Sequence, residues 1–222
     1  MSTIRIEHDT ILRGRTAVLH EGMVEIPGEG VTGLVGINGA GKTTLMMHQA
    51  GVLAGGPEPA EVIGYSPQRP DFPAWLNAAQ IARLFGLDLH TLRERFPGLQ
   101  LDELEAPAPG TLSVGQTQAL STALALGLDA RVTCLDEPFA PLDFRRRIGL
   151  SEILASAGRA RSGAVVVASQ SASELLDVCS WILVLRAGRY VFTGPVAELA
   201  GIGAAEERRG RLERRILALL NG

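Results

Sequence analysis

The run Gly36-Ile37-Asn38-Gly39-Ala40-Gly41-Lys42-Thr43 constrains this chain more than any other stretch of it. It follows an apolar strand candidate, Val31–Gly36, and precedes a helix-like segment, Thr44–Leu53. In that setting G-x-x-x-x-G-K-[ST] describes a loop whose glycines turn successive backbone N–H groups toward phosphate oxygens. The following helix offers its positive end to the same anion. Lys42 is placed to neutralise β- and γ-phosphates and Thr43 to ligate Mg²⁺, so ATP and Mg²⁺ are the expected ligands. Asn38, Gly39, Ala40, Gly41, Lys42, Thr43 and Thr44 are the expected nucleotide contacts. Composition sharpens the assignment at one point. Of 21 basic residues only Lys42 is lysine, which marks a position where a guanidinium cannot substitute.

Around this loop, short apolar runs alternate with helix-like segments, the pattern of an α/β domain. Val31–Gly36, Glu61–Tyr65, Val132–Leu135, Ala164–Ser169 and Trp181–Leu185 are the strand candidates. Arg186-Ala187-Gly188 followed by Tyr190-Val191-Phe192 reads as the turn and return of a hairpin. Asn77–Phe96 shows helical spacing at Ile81, Leu84, Phe85 and Leu89, and Leu99–Gly110 is a Pro-rich acidic connection. The expected fold is therefore a P-loop NTPase core with a mostly parallel sheet. Met1–Ile26 adds an antiparallel N-terminal edge sheet, and a helical insert occupies about residues 70–127 of a single 1–222 domain. Glu206–Leu220 is an Arg/Glu-rich amphipathic helix, read as a solvated face.

Val132-Thr133-Cys134-Leu135-Asp136-Glu137 supplies a partner for the loop, an apolar strand ending in two carboxylates. Asp136 is placed to hold Mg²⁺ and Glu137 to polarise an attacking water. With these motifs in order, the chain resembles the nucleotide-binding domain of ATP-binding cassette (ABC) transporters from about Gly28 to Phe192. Gly36–Thr44 is close to that family's Walker A, and Asp136-Glu137-Pro138 to its Walker B end. Gly64-Tyr65-Ser66-Pro67-Gln68 resembles the Q-loop, Leu112-Ser113-Val114-Gly115-Gln116 the signature, and Ala140-Pro141-Leu142-Asp143 the D-loop. The resemblance implies that Gln68 senses Mg²⁺ and the γ-phosphate. It also implies that Ser113, Gly115 and Gln116 cap the nucleotide of a second cassette paired head to tail.

Three positions depart from the family pattern. Val114 replaces the first signature glycine, bringing bulk and a residue unsuited to positive φ. Tyr65 is the first aromatic in the chain, so the usual adenine-stacking aromatic is absent and Arg13 stands at the matching place. Arg13 reads equally as a base-covering guanidinium or as a solvated loop residue. Gln170, after Val165-Val166-Val167-Ala168-Ser169, occupies the position of the switch histidine. It donates a neutral hydrogen bond but carries no proton, so slow hydrolysis is expected. His8, His20, His48 and His90 lie elsewhere and read as surface or packing residues.

No stretch of eighteen or more apolar residues is free of charge or helix breakers, and the first ten residues lack the apolar run of a secretion signal. Isolated Cys134 and Cys179 read as reduced core residues. A cytoplasmic protein is expected, peripheral on the inner membrane face through a separate transmembrane subunit. Phe72, Pro73, Trp75 and Leu76 are candidates for the groove facing that subunit, or for packing within the insert. A net charge of −3 offers no basic footprint, and no nucleic acid partner is expected. A small exporter ATPase is the leading reading. A soluble cassette acting on a cytosolic partner and a low-turnover ATP clamp are the alternatives.

Overall fold

The computed structural model describes residues 2–53, 62–105, 110–160, 163–201 and 205–221. Glu61 and residues 106–109 of the acidic connection lie outside them. The chain runs β1 (Thr3–His8), β2 (Ile11–Arg13), β3 (Thr16–Leu19), β4 (Gly22–Pro27), β5 (Gly30–Val35), α1 (Lys42–Gln49) and β6 (Ile63–Ser66). The region read as a helical insert holds α2 (Ala78–Leu84), α3 (Leu89–Arg95), two short 3₁₀ turns and α4 (Val114–Gly127). Then come β7 (Val132–Asp136), α5 (Phe144–Ala160), β8 (Ala164–Ser169), α6 (Ala172–Leu175), β9 (Trp181–Arg186), β10 (Arg189–Pro195), α7 (Val196–Ala200) and α8 (Ala205–Asn221).

Six strands form the main sheet in the order β10-β9-β5-β8-β7-β6. All neighbours pair in parallel except the β9–β10 hairpin. The central strands read as unbroken apolar runs because both faces are covered. Val31, Val35, Val165, Val167, Ile182 and Val184 face the layer holding the insert and α5. Their neighbours Leu34, Val166, Ala168, Leu183 and Leu185 face the layer of α1 and the N-terminal strands. At roughly 25 cal/mol per Å² of buried apolar surface, these two layers dominate the stability of the domain. The N-terminal strands form two separate antiparallel pairs, β1–β4 and β2–β3.

β5 sits between β8 and β9, so the connections leaving its carboxyl end and that of β8 part to opposite sides. That crevice at the carboxyl edge is where an open α/β sheet takes its ligand. The P-loop leaves β5 there, Asp136 ends β7 with Glu137 next after it, Gln170 follows β8, and Gln68 follows β6 by two residues.

Two helical readings are corrected. Ile81 and Leu89 are buried as the spacing requires, but Leu84 and Phe85 are exposed. Gly86, at φ +69°, breaks the segment into α2 and α3, and the helical period does not carry across it. α8 is no freely solvated face. Leu212 and Ile216, one turn apart, are buried in the main core, while Arg211 and Arg215 donate to the α7 carbonyls of Ala200 and Glu198 at 2.9 Å each. Cys134 and Cys179 are free and buried, and burial pushes the Cys134 thiol up to about 12. Among the described residues no helix is long and apolar enough to cross a membrane.

Candidate nucleotide-binding site

Between β5 and α1 the backbone turns through Gly39 at φ +79° and Gly41 at φ +105°. A Cβ at Gly41 would also come within 2.7 Å of the Leu19 side chain, so the turn and its packing both require glycine. Gly41 caps α1 without any side-chain bond, and no acidic residue lies in the first turn. The positive end of the helix is thus left unguarded. Asn38 and Gly39 are exposed and Ala40 is buried.

The first residue of α1 is the only lysine. Lys42 is buried, and its Nζ donates to Gly36 O at 2.7 Å and lies 3.5 Å from Ile37 O. It also lies 3.4 Å from Glu137 Oε1. Next to it, Thr43 Oγ1 donates to Asp136 Oδ2 at 2.6 Å. Asp136 Oδ1 and Glu137 Oε1 are buried oxygens with no hydrogen-bond partner. Glu137 itself sits in the left-handed region at φ +50°, with its N–H on Ala168 O at 3.1 Å. Its Oε2 accepts a long 3.4 Å bond from the backbone N–H of Gln170. A buried amine, an open helix terminus and two under-satisfied carboxylate oxygens fit a polyphosphate with a divalent cation.

Burial raises the Asp136 carboxyl above its ordinary value, opposed by the Thr43 hydroxyl and the Lys42 charge. An acid raised in the folded state costs stability as pH climbs. The cost is absent below the unfolded value of about 4 and complete above the raised one. Asp136→Asn keeps an oxygen for Thr43 and removes the charge. It is expected to raise the unfolding midpoint at neutral pH, each kcal/mol moving it by about 2–4 °C for a chain of this size. Calorimetric scans should show that advantage at pH 7 and its disappearance near pH 3.5, roughly the unfolded carboxylate range.

Other expected residues lie around this cluster. Gln68 and Gln170 have exposed side chains. Arg13 lines a cleft of about 1310 Å³ with Thr43, Thr44, Met47 and His48. His8 and His48 are buried with their rings 6.1 Å apart, and His8 Nε2 lies 2.9 Å from the Tyr190 hydroxyl oxygen. Ser113 and Gln116 make no hydrogen bond to Lys42, Thr43, Asp136 or Glu137 among the described residues. They cap α4 reciprocally, Gln116 N–H to Ser113 Oγ at 3.2 Å and Ser113 N–H to Gln116 Oε1 at 2.9 Å. Val114 is the first residue of α4, in helical backbone and 74% exposed. The expected conflict with positive φ therefore does not arise, and only added bulk at the surface remains. Gly115 is tight for a different reason, because a Cβ there would lie 3.0 Å from Pro141 O.

Fold and site together define a P-loop nucleotide-binding domain of the cassette type. The profile described as ABC transporter matches residues 19–140, more than half of the chain. The phosphonates import ATP-binding protein PhnC of Stutzerimonas stutzeri is 31% identical over 90% of this chain and 87% of its own length. The Nod factor export ATP-binding protein I of Burkholderia pseudomallei is 34% identical over 76% of this chain. The match spans 62% of that relative's length. A solved ATP-binding subunit of an ABC transporter superposes with a TM-score of 0.74 over 95% of both chains, at 21% identity. The chain belongs to the ABC transporter family.

Proposed function

We propose that this chain binds MgATP, pairs head to tail with a second cassette around the nucleotide, and hydrolyses it to drive a separate membrane-spanning subunit. The observation that carries this reading is the meeting of Lys42, Thr43, Asp136 and Glu137 at one sheet edge, with Asp136 Oδ1 buried without a hydrogen bond and Glu137 Oε1 held only by the 3.4 Å ion pair to Lys42. The domain is one cassette spanning residues 1–222, with a helical insert at about 70–127. The identity to the Nod factor export relative favours export, with import, the activity in the name of the phosphonates relative, as the alternative. The chain works on the cytoplasmic face, held to the membrane by its partner. Trp75, 76% exposed, is the side chain free to meet that partner, whereas Phe72 and Leu76 pack against the core.

MgATP supplies the phosphoanhydride to be cleaved and a cation that offsets its charge. Lys42 holds phosphate charge by turning from Glu137 and the Gly36 carbonyl. Asp136, Thr43 and Gln68 form the cation side. Arg13, which lines the cleft, would cover the base, with a solvated loop residue as the alternative. Glu137, freed from Lys42, takes a proton from water. Gln170 donates a neutral hydrogen bond toward the γ-phosphate. Ser113, Gly115 and Gln116 serve the partner's nucleotide, with the α4 N-terminus turned to it.

Steady-state phosphate release by the purified chain, alone and with its partner, tests hydrolysis, and an absence of release with bound MgATP defeats it. Co-fractionation with membranes rather than with cytosolic complexes tests the transport assignment. Gln170→His is expected to raise phosphate release at saturating MgATP about tenfold, equivalent to about 1.4 kcal/mol. The gain comes from a stronger donor to charge developing in the transition state. An unchanged or lower rate would mean that Gln170 does not limit turnover.

A further inference from the structure

Glu174 lies in α6, outside the residues assigned to nucleotide, yet through the Ser169 hydroxyl it is linked to the backbone that faces Glu137. Its Oε2 accepts the hydroxyl proton of buried Ser169 at 2.7 Å, and its Oε1 accepts Arg147 Nη2 at 2.5 Å. Ser169 has one hydroxyl proton, and a carboxylate only accepts, so that proton is committed to Glu174. The Ser169 oxygen is then left to accept the N–H of Ser171, which it does at 3.0 Å. These bonds hold the chain on both sides of Gln170. Between them the Gln170 N–H reaches Glu137 Oε2 at 3.4 Å, the longest link of the set. A link already that long is broken by a shift of a few tenths of an ångström.

We propose that Glu174 is a positioning residue for the hydrolytic carboxylate. It fixes the polarity of the Ser169 hydroxyl, and through it the backbone donor that holds Glu137. Arg147, on the first turns of α5 just after the Ala140–Asp143 loop, ties that loop to the same carboxylate. The device uses the backbone of Gln170 and not its side chain, so it is independent of whether residue 170 is glutamine or histidine. The proposal rests on the reading of Glu137 as the hydrolytic base.

Glutamine at 174 meets two donors with only one oxygen. Its amide must either face Arg147 or donate to the Ser169 oxygen, which turns the hydroxyl proton away and makes the Ser171 N–H share that oxygen with a second donor. The test compares Glu174→Gln, Ser169→Ala and Ser169→Thr in the full chain. Amide hydrogen exchange at Gln170 and Ser171 reads the backbone without turnover. Protection is expected to fall in Glu174→Gln and Ser169→Ala and to persist in Ser169→Thr, which keeps a hydroxyl. In phosphate release, kcat is expected to fall about tenfold in the first two, as small misplacements of reacting groups do, with MgATP affinity unchanged. The two losses should not add, because both variants break the same relay. Wild-type protection in Glu174→Gln overturns the proposal, as does wild-type kcat in a chain that turns over. If the wild-type chain binds MgATP without releasing phosphate, the hydrolysis reading fails, and the exchange data alone decide whether Glu174 sets this backbone.

Discussion

Replacing Lys42 by alanine is expected to abolish productive MgATP binding, with affinity by calorimetry falling at least about a hundredfold, or 2.7 kcal/mol. Lys42 is the one buried amine in the site, with its Nζ 2.7 Å from Gly36 O and 3.4 Å from Glu137 Oε1. Bound phosphate would lose its charge-assisted donor, and nothing else in the P-loop carries a positive side chain. The substitution has a second effect, since it leaves Glu137 buried without a countercharge. Breaking a buried ion pair from one side costs about 3–5 kcal/mol when the orphaned charge stays. Lys42→Ala combined with Glu137→Gln separates the two effects. The double variant should recover most of the lost thermal stability and none of the affinity. Unchanged MgATP affinity in Lys42→Ala would remove the P-loop assignment altogether.

Glu137→Gln is expected to keep nucleotide binding while lowering turnover by about 10²–10⁴, the range ascribed to a positioned general base. The amide matches the carboxylate in shape and can still accept the Gln170 N–H, but it is far too weak a base to take a proton from water. Its backbone, at φ +50°, is no more strained than that of the parent residue. With hydrolysis blocked, MgATP should accumulate a closed dimer that light scattering resolves from monomer, since a ligand that binds only the paired state stabilises it. If hydrolysis by the intact complex is unaffected, Glu137 is not the catalytic carboxylate.

Much of the fold and part of the site could be read from local pattern. The Walker A glycines, the apolar run into Asp136-Glu137 and the hairpin after Trp181 each carry their signal within a dozen residues. For α8 and Glu174 the deciding contact is remote in sequence, whereas at Leu84, Phe85 and Val114 the local backbone decides. Leu212 and Ile216 offer only two inward side chains on an Arg-rich helix, and nothing local announces that α7 supplies carbonyls for Arg211 and Arg215. Leu84 and Phe85 fit a helical stripe until Gly86 ends the helix beneath them. For Val114, motif comparison suggested a strained backbone, but the residue opens α4, where valine is sterically permitted. Glu174 drew no attention in the sequence, because its partners Arg147 and Ser169 come from two other elements.

The solitary lysine has a consequence for anyone handling this protein. A reagent that acylates amines finds one side-chain target in the whole chain, and that target is buried against the P-loop carbonyls and Glu137. Covalent labelling of the ε-amine therefore acts as an intrinsic gauge of site occupancy, needing no engineered probe. Ligand that shields Lys42 lowers the stoichiometry of modification, and mass spectrometry reads the result on the peptide that carries Lys42, apart from the α-amine.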